Sequence, residues 1–177
     1  LLTTGGIVVM RFTVAADAGG DVALKALEAN LTSSSTNALT VSAPQLRRVG
    51  DGTDLAGTNL ASGTCNAAAN TCVLNIQLTN EEVITAGTAR TYDLRVTLAG
   101  TLATGDSMST SLVGDAATET GAITAAASVV SVNDGGGATA YNFVWSDVSA
   151  VPHTDTIGSS SADWTSGLYV KVLPTDA

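Results

Sequence analysis

Charge is scarce in this 177-residue chain: Asp, Glu, Lys and Arg together make up 13% of it, against a usual ~25%. Two lysines, Lys25 and Lys171, and five arginines face sixteen acidic residues, for a net charge of −9 at pH 7. So few cations argue against a nucleic-acid binder, whose affinity comes largely from neutralising phosphates. The same deficit argues against docking on an anionic membrane surface. Apolar runs never approach the roughly 18 residues that would mark a membrane-spanning helix. One histidine, His153, and two cysteines are too few for a zinc site. No G-x-S-x-G elbow occurs. The one glycine run, Gly135-Gly136-Gly137, lacks the Lys-Ser/Thr ending of a phosphate-cradling loop. No 20–50-residue period repeats, which excludes a solenoid or propeller.

What is present is small. The chain has 28 Ala, 26 Thr, 18 Gly and 16 Ser, while aromatic residues are only 4%. Abundant Thr with little Lys and Glu counts against a helical bundle and for strands. The length suits one domain with a substantial core, and no shift in composition marks a boundary, so residues 1–177 are read as a single β-sandwich. Residues 7–16 alternate, with Val8, Met10, Phe12, Val14 and Ala16 on one face. Residues 21–32 fit a strand interrupted by Lys25, or a helix capped by Asp21; the all-β context favours the strand. Residues 39–49 read as extended, with Pro44 marking an edge or a bulge, and Gly50-Asp51-Gly52-Thr53-Asp54 as a tight turn. Residues 71–79 form the clearest strand, Asn80-Glu81-Glu82 reads as the start of a short turn or one helical turn, and residues 88–99 alternate again around Tyr92, Leu94, Val96 and Leu98. Weaker strands are expected near 107–113, 122–132, 140–146 and 167–173. About nine short strands separated by turn signals predict a two-sheet, jelly-roll-like sandwich.

Few residues carry candidate chemistry. Cys65 and Cys72 have a C-x6-C spacing, wrong for a redox pair; a disulfide between them is expected, closing a short loop and implying an oxidising compartment. Ser146, Asp147 and Asp155 flank His153, but a hydrogen-bonded loop histidine is the plainer reading than a catalytic set. Asp51-Gly52-Thr53-Asp54 and Asn133-Asp134-Gly135 offer oxygens, and turn chemistry explains both without calcium. No metal and no cofactor are expected. Trp145 and Trp164, with Tyr141 and Tyr169, form either core anchors or a platform for sugar rings, with the core reading preferred. Trp145 is expected to be mainly buried, with Ser146 to His153 as a hydrogen-bonded loop pinned by Asp147 and Asp163. Two lysines also leave open a Lys–Asn or Lys–Asp cross-link inside the sandwich.

Two stretches carry a resemblance. One runs from Phe143 to His153 (FVWSDVSAVPH) and on from Ser161 to Pro174 (SADWTSGLYVKVLP); the other runs from Arg11 to Lys25 (RFTVAADAGGDVALK). Both are similar to domains in predicted surface proteins of candidate-phylum, Patescibacteria-like bacteria, with the pattern F-x-W-S-D-x-S-x-x-x-H followed by D-W-x-x-G-Y-x-V-x-x-L-P. Gly167-Leu168-Tyr169 stands where Gly-Tyr is usual. The resemblance implies a surface location and a sandwich fold, and supports the strand reading of residues 21–32. In architecture alone, the chain also resembles the sandwich subunits of TasA-like extracellular fibres, which assemble by strand donation.

The functional expectation is therefore a secreted structural subunit of an extracellular filament or cell-surface layer, not an enzyme, polymerising with itself head to tail. The chain opens Leu1-Leu2-Thr3-Thr4-Gly5-Gly6 with no initiator Met and no basic leader, and is read as a processed product or an excised piece. Leu1, Leu2, Ile7, Val8, Val9, Met10 and Phe12 are the candidate donor strand, with residues 1–6 its flexible lead and Gly5-Gly6 a hinge. The alternative is that residues 7–16 pair within their own sandwich and only residues 1–6 are loose. The second functional reading is an adhesin that takes host or matrix glycans through Trp145 or Trp164.

Overall fold

The structure is a computed structural model that describes residues 2–62, 64–65, 72–112, 143–155 and 163–166. Every regular element among them is a β-strand: β1 (Gly5–Ala15), β2 (Val22–Ser33), β3 (Leu39–Arg48), β4 (Gly57–Ser62), β5 (Thr64–Cys65), β6 (Cys72–Ile84), β7 (Ala89–Gly100), β8 (Met108–Leu112), β9 (Phe143–Ser146) and β10 (Trp164–Ser166). They form two antiparallel sheets. The first has the order β1-β7-β3-β5; the second has the order β10-β9-β2-β6-β4, with β8 also on β2. From β1 to β8 each successive strand lies in the opposite sheet, so the chain crosses the core at every connection. Residues 21–32 are thus strand β2, as the all-β context required. The expected strands near 122–132 and 167–173 lie outside the described residues. Strands β4 and β5 were not anticipated: Gly57–Ser62 has little apolar alternation, and pairing with β6 makes it extended.

The core fills from both sheets. Leu27, Leu31, Leu74, Ile76 and Leu78 of the second sheet meet Val41, Leu46, Tyr92, Leu94 and Leu98 of the first. Period-2 alternation puts these side chains on one face, and each fully buried Leu or Ile contributes roughly 1.5–3 kcal/mol. The row Cys72, Leu74, Ile76, Leu78 points inward as its alternation demands.

Bulges shift the phase in three strands. In β1 the register with β7 slips between Val8 and Met10. One extra residue reverses which side chains face the core. Ile7, Val9, Met10, Phe12 and Val14 pack against the core, whereas Val8 is 48% exposed. The expectation that Val8 shares the inward face is therefore wrong. In β3 the slip falls between Ser42 and Gln45, where Ala43 has φ 47° and Pro44 follows. Pro44 thus marks a bulge. In β2 the slip falls at Lys25, relative to both β6 and β9. Asn80, Glu81 and Glu82 do not turn: β6 continues to Ile84, and the irregularity is absorbed opposite Lys25.

β1 is the edge strand of its sheet and is hydrogen-bonded to β7 of its own chain from Gly5↔Leu98 to Ala15↔Ala89. On its outer face Arg11 grips Asp93 through two hydrogen bonds, at 2.6 and 2.9 Å, and the hydroxyls of Thr13 and Thr91 lie 2.8 Å apart. Its inward apolar side chains are all only half-buried. Leu2, Leu102, Met108 and Phe143 lie alongside the same core in the same half-buried state.

Candidate functional site

Two charged networks stand out in a protein with so little charge. The first spans the interior. Glu82 of β6 is buried and takes Arg48 of β3 through Nε at 2.7 Å and Nη2 at 2.5 Å. Arg90 of β7 adds a bond at 2.7 Å, and the Tyr92 hydroxyl donates to the same carboxylate at 3.0 Å. Burial pushes the Glu82 carboxyl up, but the hydrogen bonds from Arg48, Arg90 and Tyr92 outweigh it and hold the group below its usual range. Burial first, and then the Glu82 charge, drive the Tyr92 phenol above its ordinary value. Beside this strut lies a cleft of about 530 Å³ that Arg48, Asp51, Arg90 and Thr91 help to line. Its two guanidinium groups are committed to Glu82, so it presents no spare cation to an anionic ligand.

The second network is built by the motif of the C-terminal third. Ser146 ends β9, and its hydroxyl donates to Asp163 Oδ2 at 2.9 Å while accepting the Val148 N–H at 2.9 Å. That bond helps hold Val148 at φ 53°, a left-handed conformation unusual for a β-branched residue. Asp147 accepts both the N–H and the hydroxyl of Ser149, an Asx turn. Asp163 Oδ2 also receives the Ala150 N–H at 3.2 Å and faces His153 Nδ1 at 2.8 Å. On the other side of the ring, Nε2 lies 2.7 Å from Glu81 Oε2 of β6. Burial lowers the affinity of His153 for its proton, but the bonds to Glu81 and Asp163 win and raise it. An imidazolium can donate to both carboxylates at once, which a neutral ring cannot.

Trp164 closes the arrangement. Its ring lies 5.5 Å from that of His153, and its indole N–H donates to the Thr154 carbonyl at 3.1 Å. Together with Ala23, Ala26 and Val144 it forms a second apolar cluster, against which Val83 and Val148 pack. Alternation along β2, shifted in phase by the bulge at Lys25, places Ala23 and Ala26 on the face of the sheet opposite Leu24 and Leu27 of the main core. The loop from Asp147 to Asp155 is thus clasped onto β2 and β6.

The sequence-derived candidates fall out as follows. Ser146 to His153 is a hydrogen-bonded loop pinned by Asp147 and Asp163, as expected. Trp164, 1% exposed, is its core anchor, whereas Trp145, expected to be mainly buried, is covered less completely than Trp164. The reason is pairing: Trp145 and Trp164 lie on neighbouring strands one position out of register, so their side chains leave opposite faces. A ring as buried as Trp164 has no face to offer a sugar. Ser146, His153 and Asp163 do meet, but the Ser146 proton goes to Asp163 and both ring nitrogens face carboxylates, so no activated nucleophile results. Asp51 accepts the Thr53 N–H within its turn and reaches Arg48, and Asp54 pairs with Arg47. Among the described residues no group of three potential metal ligands occurs; Asn133, Asp134 and Gly135 lie outside them. Cys72 is fully buried and is not a free thiol; the side chain of Cys65 lies outside the described residues, as does Leu1.

Sequence reasoning missed Glu81 and Glu82 as network members. Their signal was a charge interrupting an otherwise strand-like face. No protein-family model, curated protein or solved structure matches the chain.

Proposed function

We propose that this chain is a structural subunit of an extracellular filament or cell-surface layer, in which copies join head to tail through the N-terminal strand. The observation that carries the reading is β1: an edge strand whose inward row, Ile7, Val9, Met10, Phe12 and Val14, is half-buried throughout. An edge strand offers unpaired N–H and C=O groups, and a half-covered apolar row gains from further cover. In the single chain β1 pairs with its own β7. In the polymer it pairs with β7 of the next copy in the same register, with Leu1 and Leu2 carried along. Such an exchange keeps the same contacts and, being head to tail, propagates without closing. The connection Ala16–Asp21, containing Gly19-Gly20, supplies the hinge. Strand-by-strand alternation between the sheets supports a jelly-roll description of the sandwich. Surface exposure belongs to the same proposal; the absence of a free thiol at Cys72 favours an oxidising compartment.

The test is a lock on β1. Thr13 and Thr91 are direct cross-strand partners on the exposed face, so Thr13→Cys with Thr91→Cys is placed to form a disulfide that ties β1 to its own chain. Negative-stain microscopy is expected to show fibres for the wild type and for the reduced variant, and folded monomers for the oxidised one. Deleting residues 1–6 removes Leu1, Leu2 and the first two pairs of β1 and is expected to weaken fibre formation while leaving the monomer folded. Fibres from the oxidised lock sink the exchange; monomers from the wild type sink the filament.

A further inference from the structure

Lys25 is a buried lysine in a chain with only two lysines, and its ammonium group touches one carboxylate. It sits at the bulge of β2 and is 7% exposed. Its Nζ donates to the Thr79 carbonyl at 3.1 Å and contacts Asp155 Oδ1 directly. Asp155 Oδ1 also receives the backbone N–H of Glu81 at 2.9 Å. The irregularity explains the burial: Lys25 is the one extra residue of β2 relative to β9, and against β6 it faces the longer stretch between Gln77 and Glu82, while the clasped loop brings Asp155 over it. This pair lies beside the His153 network and belongs to none of its bonds.

We propose that Lys25 and Asp155 condense to an intramolecular amide, cross-linking the C-terminal loop to β2. The parts the reaction needs are in place. The amine and the carboxyl carbon's oxygen are in contact, and fixed geometry replaces a bimolecular encounter. The Thr79 carbonyl orients the amine. The Glu81 N–H points at the oxygen on which charge develops when nitrogen adds to Cγ, the role of an oxyanion-hole donor. The step balances without any co-reactant. The nitrogen lone pair forms the N–Cγ bond and a Cγ–O bond breaks. One proton of the ammonium stays on the amide nitrogen and two leave with the carboxylate oxygen as water. Condensation also removes the charge of the buried Lys25 ammonium, which is costly to keep away from water, whereas Asp155 is partly exposed. The inference is independent of how copies assemble.

The experiment is intact-mass spectrometry of the purified, reduced chain, followed by amine labelling after denaturation. The expected mass is one water below that of the sequence. Lys171 and the terminal amine are labelled and Lys25 is not, and proteolysis yields a branched peptide joining the Lys25 and Asp155 segments. Lys25→Arg keeps the ion pair without a condensing amine and is expected to restore full mass, as is Asp155→Ala. A wild-type chain of full mass with Lys25 labelled overturns the proposal. So does a mass deficit that persists in Lys25→Arg, which would place the lost water elsewhere, for example in a succinimide at Asp51-Gly52.

Discussion

Tyr92 and Glu82 meet between the two sheets, the phenol donating to the carboxylate at 3.0 Å. Tyr92 belongs to β7 and Glu82 to β6, so the bond joins strands that are consecutive in the chain but lie in opposite sheets. Arg48 and Arg90 complete the strut from the first sheet. A buried carboxylate survives here because four donors compensate the water it has lost.

Glu82→Gln removes that charge and leaves two arginines without their shared partner. Losing one side of a buried ion pair costs about 3–5 kcal/mol; both arginines are partly exposed and regain some water, so the expected loss is about 2–3 kcal/mol. Urea denaturation should show a lower midpoint with an unchanged slope.

The same carboxylate sets an acid limit. Its folded pKa is depressed, so its contribution is complete above the unfolded carboxylate pKa and is lost as pH falls through the folded value. Thermal melts of the wild type should drop on acidification more steeply than those of Glu82→Gln.

His153 works with the opposite sign. Its folded pKa is raised by Glu81 and Asp163, so its contribution is complete below the unfolded pKa and is lost as pH rises through the folded one. Protection of the loop Asp147–Asp155 from amide hydrogen exchange, taken relative to the intrinsic rate at each pH, should be greatest in mild acid and fall at alkaline pH. His153→Gln should flatten that dependence; an unchanged profile would show that the clasp does not depend on the ring's second proton.

Trp164→Ala empties the second apolar cluster and breaks the bond to Thr154. A loss of about 3–5 kcal/mol is expected, as for other buried aromatic truncations. Trp145→Ala should cost less, because Trp145 is covered less completely than Trp164. Equal losses, measured by calorimetry, would contradict the placement of the two rings.

Cys72 and Cys65 are expected to be bonded to each other. Alkylation without reductant should modify neither. Replacing both by Ser should lower stability by about 2.5 kcal/mol, the chain-entropy value for so short a loop.

The sequence by itself determined the all-β class, the longer strands β1, β2, β3, β6 and β7, and much of the core. Alternation placed Cys72, Leu74, Ile76 and Leu78 on one inward row and Tyr92, Leu94, Val96 and Leu98 on another, because side chains on a strand repeat every two residues whatever the partner. It also located the hydrogen-bonding residues of the C-terminal motif, whose Asx and hydroxyl turns are local. Tertiary structure decided what local rules leave open. Irregularities at Val9 and Lys25 depend on the partner strand: one extra residue in β1 turned Val8 outward, and the register break of β2 against β6 and β9 let Lys25 reach Asp155. Which tryptophan is buried followed from the register of β9 against β10. The partners of Glu81 and Glu82 lie 72, 34 and 10 positions away along the chain, and only the crossing of the chain between sheets brings them together. Local sequence encodes direction and turn, whereas contact between charges is a property of how strands are paired.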